Sequence, residues 1–154
     1  MSEEKNLEEI KKFWPEKAPN INIVQKYVSK YEKEKIVIKY GGNVLIDRKV
    51  FNNFISDINV LNKLGLSIIV VHGGGPRIKR ELDKKKIVSK FINGLRVTDK
   101  SIIDTVEEVL IEFNIDIVNS LKKLGSNATS FHTKSENIIE VEPGKEELGF
   151  VGIP

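Results

Sequence analysis

Two glycine clusters in this sequence have the composition of anion sites. The first is Lys39-Tyr40-Gly41-Gly42-Asn43. The second is His72-Gly73-Gly74-Gly75-Pro76, reached through the apolar run Ile68-Ile69-Val70-Val71. Glycines let a backbone approach a ligand closely and present its N–H groups as a concave nest. Lys39 beside such a nest is a compact cation, suited to charge that grows on a transferring phosphoryl group. The second cluster opens a helix with Pro76 in its first turn, so free N–H groups and the helix dipole favour an anion there. Neither cluster has the GxxxxGK[ST] spacing of a P-loop or the GxGxxG spacing of a dinucleotide fingerprint. The candidate ligands are therefore a carboxylate, a transferring phosphoryl group or another small anion. By residue type alone, the first cluster reads equally well as a tight turn with a solvent-facing lysine, whereas for the second a loop without a ligand is the lesser alternative. His72 reads as a satisfied structural histidine in preference to an acid–base group. A third candidate is Asn93-Gly94-Leu95-Arg96-Val97-Thr98-Asp99. Arg96 beside a glycine turn offers a planar fork for a carboxylate, or is a surface arginine.

The surrounding pattern supplies elements to position these residues. Lys35 to Tyr40 is a β-branched run ending at Gly41-Gly42, and Leu66 to Val71 is a second apolar strand. Between them, Val50, Phe51, Phe54, Ile58, Leu61 and Leu64 recur at helical spacing until Gly65 ends the helix. A helix opened by Pro76 carries Ile78 and Leu82. Another starts near Thr98 or Lys100, either Thr98 or Asp99 being a good cap, and carries Ile102, Ile103, Val106, Val109 and Leu110. A separate helix is expected from Ile115 to Leu124, ending at Gly125, and a short strand or hairpin region in the segment NATSFHT to NIIEVEP. Alternating strands and helices predict a parallel α/β sheet with helices on both faces, and both glycine clusters then fall at the carboxyl ends of strands, where open α/β sheets bind ligands. Ahead of this, Leu7, Ile10 and Phe13 or Trp14 mark a helix that Pro15 and Pro19 end. Asn20 caps a second one with Ile21, Val24, Tyr27, Val28 and Tyr31 on one face. That helix either packs on its own domain or docks a second subunit.

Composition narrows the function classes. The 154 residues suffice for one domain with a real core. The net charge of +3 comes from lysines interspersed with glutamates, so nucleic-acid binding is not indicated. There is no cysteine, which excludes disulfides, thiolate metal sites and cysteine nucleophiles, and two histidines are too few for a zinc site. The first residues carry no apolar signal region, and no stretch approaches the ~20 apolar residues of a membrane span. The expected location is the cytoplasm.

Taken in order and spacing, IVIKYGGN (Ile36 to Asn43), IIVVHGGGPRI (Ile68 to Ile78), NGLRVTD (Asn93 to Asp99) and LGFVG (Leu148 to Gly152) resemble the acetylglutamate kinases of the amino-acid kinase family. NGLRVTD is the most discriminating of the four. The resemblance implies an α/β three-layer sandwich with a mostly parallel sheet, the carbamate kinase-like fold, in truncated form. It implies transfer of the ATP γ-phosphoryl group to the γ-carboxylate of N-acetyl-L-glutamate, the second step of arginine synthesis. In that reading Lys39 stabilises the transferring group, and Gly41, Gly42 and Gly73 surround it. Gly74 and Gly75 touch the acyl substrate, and Arg96 grips its α-carboxylate. Residues 1–34 become a helical extension of the arginine-inhibited type, joining dimers into a hexamer, and residues 35–154 the acyl-substrate lobe. The nucleotide lobe, with most of the site for ATP and Mg2+, is expected to be absent, the chain to be inactive alone, and no protein-bound metal is expected.

Two stretches depart from the family pattern. After Val109-Leu110 the family has a glycine and then an Asn-Lys pair, where this chain has Ile111-Glu112-Phe113-Asn114-Ile115-Asp116. A glycine-rich segment of the kind GLSGKD is replaced by Ser130-Phe131-His132-Thr133-Lys134-Ser135. Bulky residues there are expected to alter the substrate pocket or a dimer contact.

Overall fold

The computed structural model describes residues 10–31, 33–41, 47–135 and 139–153. Its elements are α1 (Ile21–Tyr31), β1 (Lys35–Tyr40), α2 (Arg48–Lys63), β2 (Ser67–His72), α3 (Gly75–Lys84), β3 (Lys90–Ile92), β4 (Leu95–Val97), α4 (Lys100–Lys123), β5 (Glu142–Pro143) and β6 (Gly152–Ile153). A single 3₁₀ turn, Glu146–Leu148, precedes β6.

β1 and β2 are parallel, in a register that places Ile38 beside Val70, Lys39 beside Val71 and Tyr40 beside His72. Side chains alternate across a strand, so the pair has two different faces. Ile38, Tyr40, Ile68 and Val70 turn inward onto α2 and the second half of α4, in a core built from Phe51, Ile55, Ile58, Phe113, Ile117 and Leu121. The Tyr40 ring stacks on Phe54 with centroids 4.0 Å apart. Val37, Ile69 and Val71 lie on the opposite face and are exposed. A second core joins α3 to the first half of α4 through Ile78, Leu82, Ile102 and Val109.

Local chemistry sets the helix ends. Asp47 caps α2, its Oδ1 accepting from the Lys49 and Val50 amides at 2.7 and 3.1 Å. Gly65 and Gly125 follow α2 and α4 at φ +88° and +87°, the left-handed conformation that ends a helix and favours glycine. Asp99 is the α4 cap, its carboxylate accepting from the Ile102 amide.

The two helices expected from Thr98 to Leu124 are one helix of 24 residues. The segment contains no glycine or proline to break it, and Val109, Phe113, Ile117 and Leu121 recur every fourth residue on one buried stripe. Asn114 does not interrupt it because its side chain finds partners outside the helix. β5, at the very end of the expected strand or hairpin region, pairs antiparallel with β6, which lies beyond that region, whereas residues 126–132 run without a strand assignment.

Asn20 begins α1 as expected, its Oδ1 accepting from the Asn22 amide. The anticipated single apolar face divides: Ile21, Val24 and Val28 are half-buried, while Ile23, Tyr27 and Tyr31 form an exposed stripe. Most of the expected helix from Glu3 to Trp14 lies outside the described residues.

Candidate functional site

The parallel pairing of β1 and β2 brings the first two motifs to one edge. The Gly73 amide donates to the Tyr40 carbonyl at 3.1 Å, carrying the pairing one residue beyond the strands. Gly41 therefore sits beside the second glycine cluster. Lys39 is exposed on the outer face, and its stem passes the position a Gly41 Cβ would take, at 3.9 Å. Gly42 and Asn43 lie outside the described residues.

The three glycines of the second cluster have different surroundings. Gly74 is buried and precedes α3; a Cβ there would lie 2.7 Å from Leu110 Cδ2 and 3.3 Å from Ile78 Cδ1. Close packing against α4 is sufficient to require this glycine. Gly73 and Gly75 face open space, with nothing within 4 Å of an added Cβ. Those two are the positions where a bound group has room.

Arg96 is on β4, in a hairpin turned by Asn93 and Gly94 at φ +49° and +81°. This two-residue turn places Arg96 opposite Phe91. The guanidinium carbon lies 4.7 Å from the Phe91 ring centroid, and Nη1 donates to Ser89 Oγ. Partial burial pulls the Arg96 pKa below its usual value, yet a guanidinium stays charged at neutral pH. Gly75, Pro76, Ser89, Phe91 and Arg96 line one open cleft. Arg96 is thus a cation held by stacking and one hydroxyl, with donors left for a carboxylate. Ser89 and Phe91 were not singled out from sequence. The Asn93-Gly94 turn signal does carry Phe91, since a two-residue turn fixes its partner.

The closing motif supports the same hairpin. The Thr98 amide donates to the Leu148 carbonyl, and the Phe150 amide to the Thr98 carbonyl, both at 2.8 Å. A Cβ on Gly149 would fall 2.3 Å from the Thr98 carbonyl oxygen, at φ +71°. NGLRVTD and LGFVG, about fifty residues apart, are therefore in direct contact.

His72 is partnered at both ring nitrogens, in keeping with a structural histidine. Nδ1 is 3.1 Å from the Gly73 carbonyl oxygen, and Nε2 is 3.2 Å from Asn114 Nδ2. Its ring meets Phe113 edge-on at 5.0 Å. Arg77 lies over the same Phe113 ring, at 3.9 Å, and pairs with Asp116 at 2.9 Å. The two stretches expected to depart from the family pattern meet here. Ser130 Oγ donates to Asn114 Oδ1, and Asn114 Nδ2 lies 3.4 Å from the Phe131 carbonyl oxygen. Thr133 and Lys134 both engage Glu107 of α4.

Among the described residues, no three or more His, Asp or Glu side chains gather into a possible metal site. No helix among the described residues is long and apolar enough to cross a membrane.

A parallel strand pair with glycine loops at its carboxyl edge and an arginine-bearing hairpin sharing a cleft with Gly75 make up an α/β scaffold. Residues 34–148 match the amino acid kinase family, and the chain belongs to it. Within that family it is a homologue of the acetylglutamate kinases. It is 50% identical over 147 residues to the acetylglutamate kinase of Pelagibacter ubique, covering 96% of this chain and 51% of that protein. The acetylglutamate kinase of Lactococcus lactis subsp. cremoris is 41% identical over 128 residues, 82% of this chain and 45% of that one. The chain thus spans about half the length of the curated relatives it matches. Among solved structures, a Streptococcus mutans protein superposes with a TM-score of 0.65 at 28% identity, over 78% of this chain and 49% of that one. N-acetylglutamate synthase from Neisseria gonorrhoeae, solved with coenzyme A and N-acetyl-glutamate, superposes at 0.66 over 87% of this chain and 32% of its own. At 17% identity the synthase shares the fold alone.

Proposed function

We propose that this chain forms the acyl-acceptor half of an acetylglutamate kinase, which phosphorylates the γ-carboxylate of N-acetyl-L-glutamate with ATP in arginine biosynthesis. The observation that carries the reading is the shared cleft of Gly75 and Arg96, beside the strand edge that holds Lys39 and Gly41. Arg96 pairs through its fork with the substrate α-carboxylate. Amides of Gly74 and Gly75 orient the acyl group, so that a γ-carboxylate oxygen can attack the terminal phosphorus of ATP in line. As that bond forms, the bond to the leaving ADP oxygen breaks and an acyl phosphate results. Charge then grows on the transferring oxygens, where the Lys39 ammonium and the amides of Gly41 and Gly42 offset it; the Gly73 amide, expected from sequence to join them, is instead bonded to the Tyr40 carbonyl. Phosphoryl transfer asks little more of a protein than such positioning and electrostatic support.

Residues 35–154 act as the acyl-substrate lobe of a three-layer α/β sandwich. In this reading turnover also needs an ATP and Mg2+ site outside the half of an acetylglutamate kinase that the chain spans. The polypeptide works in the cytoplasm as a homo-oligomer. Residues 1–34 supply its docking helix, a reading supported by the exposed Ile23, Tyr27 and Tyr31 stripe. That stripe also favours a second reading, an acetylglutamate-binding or oligomer-interaction protein without catalysis of its own.

Calorimetry of the 154-residue chain with acetylglutamate tests the site. Arg96→Ala is expected to weaken binding by about 1.5–3 kcal/mol, the range for a charged hydrogen bond. Unchanged affinity would remove Arg96 from the site. An ATP-coupled assay on the same chain is expected to show no acetylglutamate-dependent turnover, and turnover would refute the need for the other half.

A further inference from the structure

The bonds around His72 form one directed chain. A carbonyl oxygen only accepts, so the Gly73 carbonyl requires the proton on Nδ1. Nε2 is then an acceptor and takes the Asn114 Nδ2–H. That amide is held in one orientation at both ends. Ser130 Oγ–H donates to its oxygen, and the Phe131 carbonyl accepts from its nitrogen. The order Ser130, Asn114, His72, Gly73 leaves no donor facing a donor. A free histidine favours the opposite, Nε2–H tautomer, so the surroundings select the one seen here.

The chain ends on the peptide between Gly73 and Gly74. A trans peptide is planar, so pinning the Gly73 carbonyl toward His72 turns the Gly74 N–H the opposite way. Gly74 is buried, and its N–H has no acceptor among the described residues. A buried amide in that state is fit to receive a ligand oxygen. His72, Asn114 and Phe131 line one pocket, and Gly75 and Arg96 line a separate cleft, with no residue in common.

We infer that Asn114 is a positioning residue: through the His72 tautomer it orients the Gly73–Gly74 peptide, so that the Gly74 N–H faces the carboxylate acceptor. Its ligand rests on the acceptor-site reading above. Ser130 and Phe131, from the segment that replaces the family's glycine-rich stretch, hold Asn114 in place. Asn114 touches no reacting atom and acts only through His72 and the backbone.

The test reads the imidazole protons directly in the isotope-labelled 154-residue chain. Long-range proton–nitrogen correlations are recorded at pH about 8, where unperturbed imidazoles are neutral. His72 is expected as Nδ1–H. His132 is an internal control in the opposite state, because its Nδ1 accepts from the Lys134 amide and its proton sits on Nε2. Asn114→Asp keeps the side-chain shape but presents only acceptors, so it should move the His72 proton to Nε2. Asn114→Leu, which offers no donor, should release His72 to the Nε2–H form. Both variants should shift the Gly74 amide resonance and weaken acetylglutamate binding about tenfold or more, with the dispersed amide spectrum retained. If Asn114→Leu does not fold, Asn114→Asp and Ser130→Ala decide.

A wild-type His72 in the Nε2–H form, or an Nδ1–H form that survives Asn114→Asp, overturns the inference. So does a reversed tautomer with unchanged Gly74 shift and unchanged affinity. A wild-type chain that fails to bind acetylglutamate refutes the acceptor-site reading alone. The tautomer and Gly74 readouts then still decide whether Asn114 orients the peptide.

Discussion

Alanine substitution at each of the three loop glycines should separate packing from ligand binding. At Gly74 the expected penalty comes from the space around an added methyl. An added methyl would sit 2.7 Å from Leu110 Cδ2 and 3.3 Å from Ile78 Cδ1. Overpacking of this kind costs about 1–3 kcal/mol. Leu110 is half-buried and its terminal methyl can move, which places Gly74→Ala in the lower part of that range, about 1–2 kcal/mol. For a chain of this length that lowers the melting temperature by roughly 2–8 °C. Gly75→Ala should behave oppositely. It adds a methyl to open space in the first turn of α3 and reduces unfolded-state freedom, for a gain of about 0.4–1 kcal/mol. Gly73→Ala should change stability by no more than about 0.5 kcal/mol. Both open-side variants should nonetheless weaken acetylglutamate binding, because their methyl groups enter the space a bound group would take. Thermal unfolding and calorimetry on the same samples give both readouts. Leu110→Ala removes the clash partner, so combined with Gly74→Ala it should cost at least ~0.5 kcal/mol less than the sum of the single changes. Strict additivity, or a Gly75→Ala variant less stable than Gly74→Ala, would refute the packing argument.

Two further outcomes concern polar groups. Ser126 Oγ donates to the buried Asn59 Oδ1 at 2.8 Å, while Asn59 Nδ2 has no hydrogen-bond partner among the described residues. Ser126→Ala should destabilise by about 1–3 kcal/mol in urea unfolding, whereas Asn59→Leu with Ser126→Ala should fall near wild type, since it removes both polar partners together; equal losses would count against this account. The Asp99 carboxyl is held below its ordinary pKa, first by the Ser101 hydroxyl and then by the Ile102 amide. A depressed carboxylate pKa means stability that is present above the unfolded-state value and lost as pH falls through the folded one. Melting temperatures from pH 7 to about 3 should therefore fall less steeply for Asp99→Asn, which keeps a capping oxygen but does not titrate; parallel acid slopes would remove Asp99 as a source of the loss.

Much of the scaffold was legible because its signals are local. The β-branched runs of β1 and β2, Gly65 and Gly125 beyond their helices, Pro76 in the first turn of α3 and Asp99 at the α4 cap each depend on nearest neighbours along the chain. The expected division of α4 failed for the converse reason. Nothing local breaks that helix, and its continuity comes from the buried Val109, Phe113, Ile117 and Leu121 stripe.

The site residues divide in the same way. Residue types and spacing singled out Lys39, the glycine clusters and Arg96 as candidates, since anion chemistry restricts which side chains can serve and glycine restricts where a backbone can approach. Only the tertiary structure separated Gly74, held by contact with Leu110, from Gly73 and Gly75, which face open space. It alone seated Arg96 on Phe91 and Ser89, joined Thr98 to Gly149, and linked Asn114 to His72. A residue's own chemistry is written in its type, but whether its neighbours crowd, stack on or hydrogen-bond it depends on segments tens of residues away. Packing decides those meetings, and no local pattern encodes them.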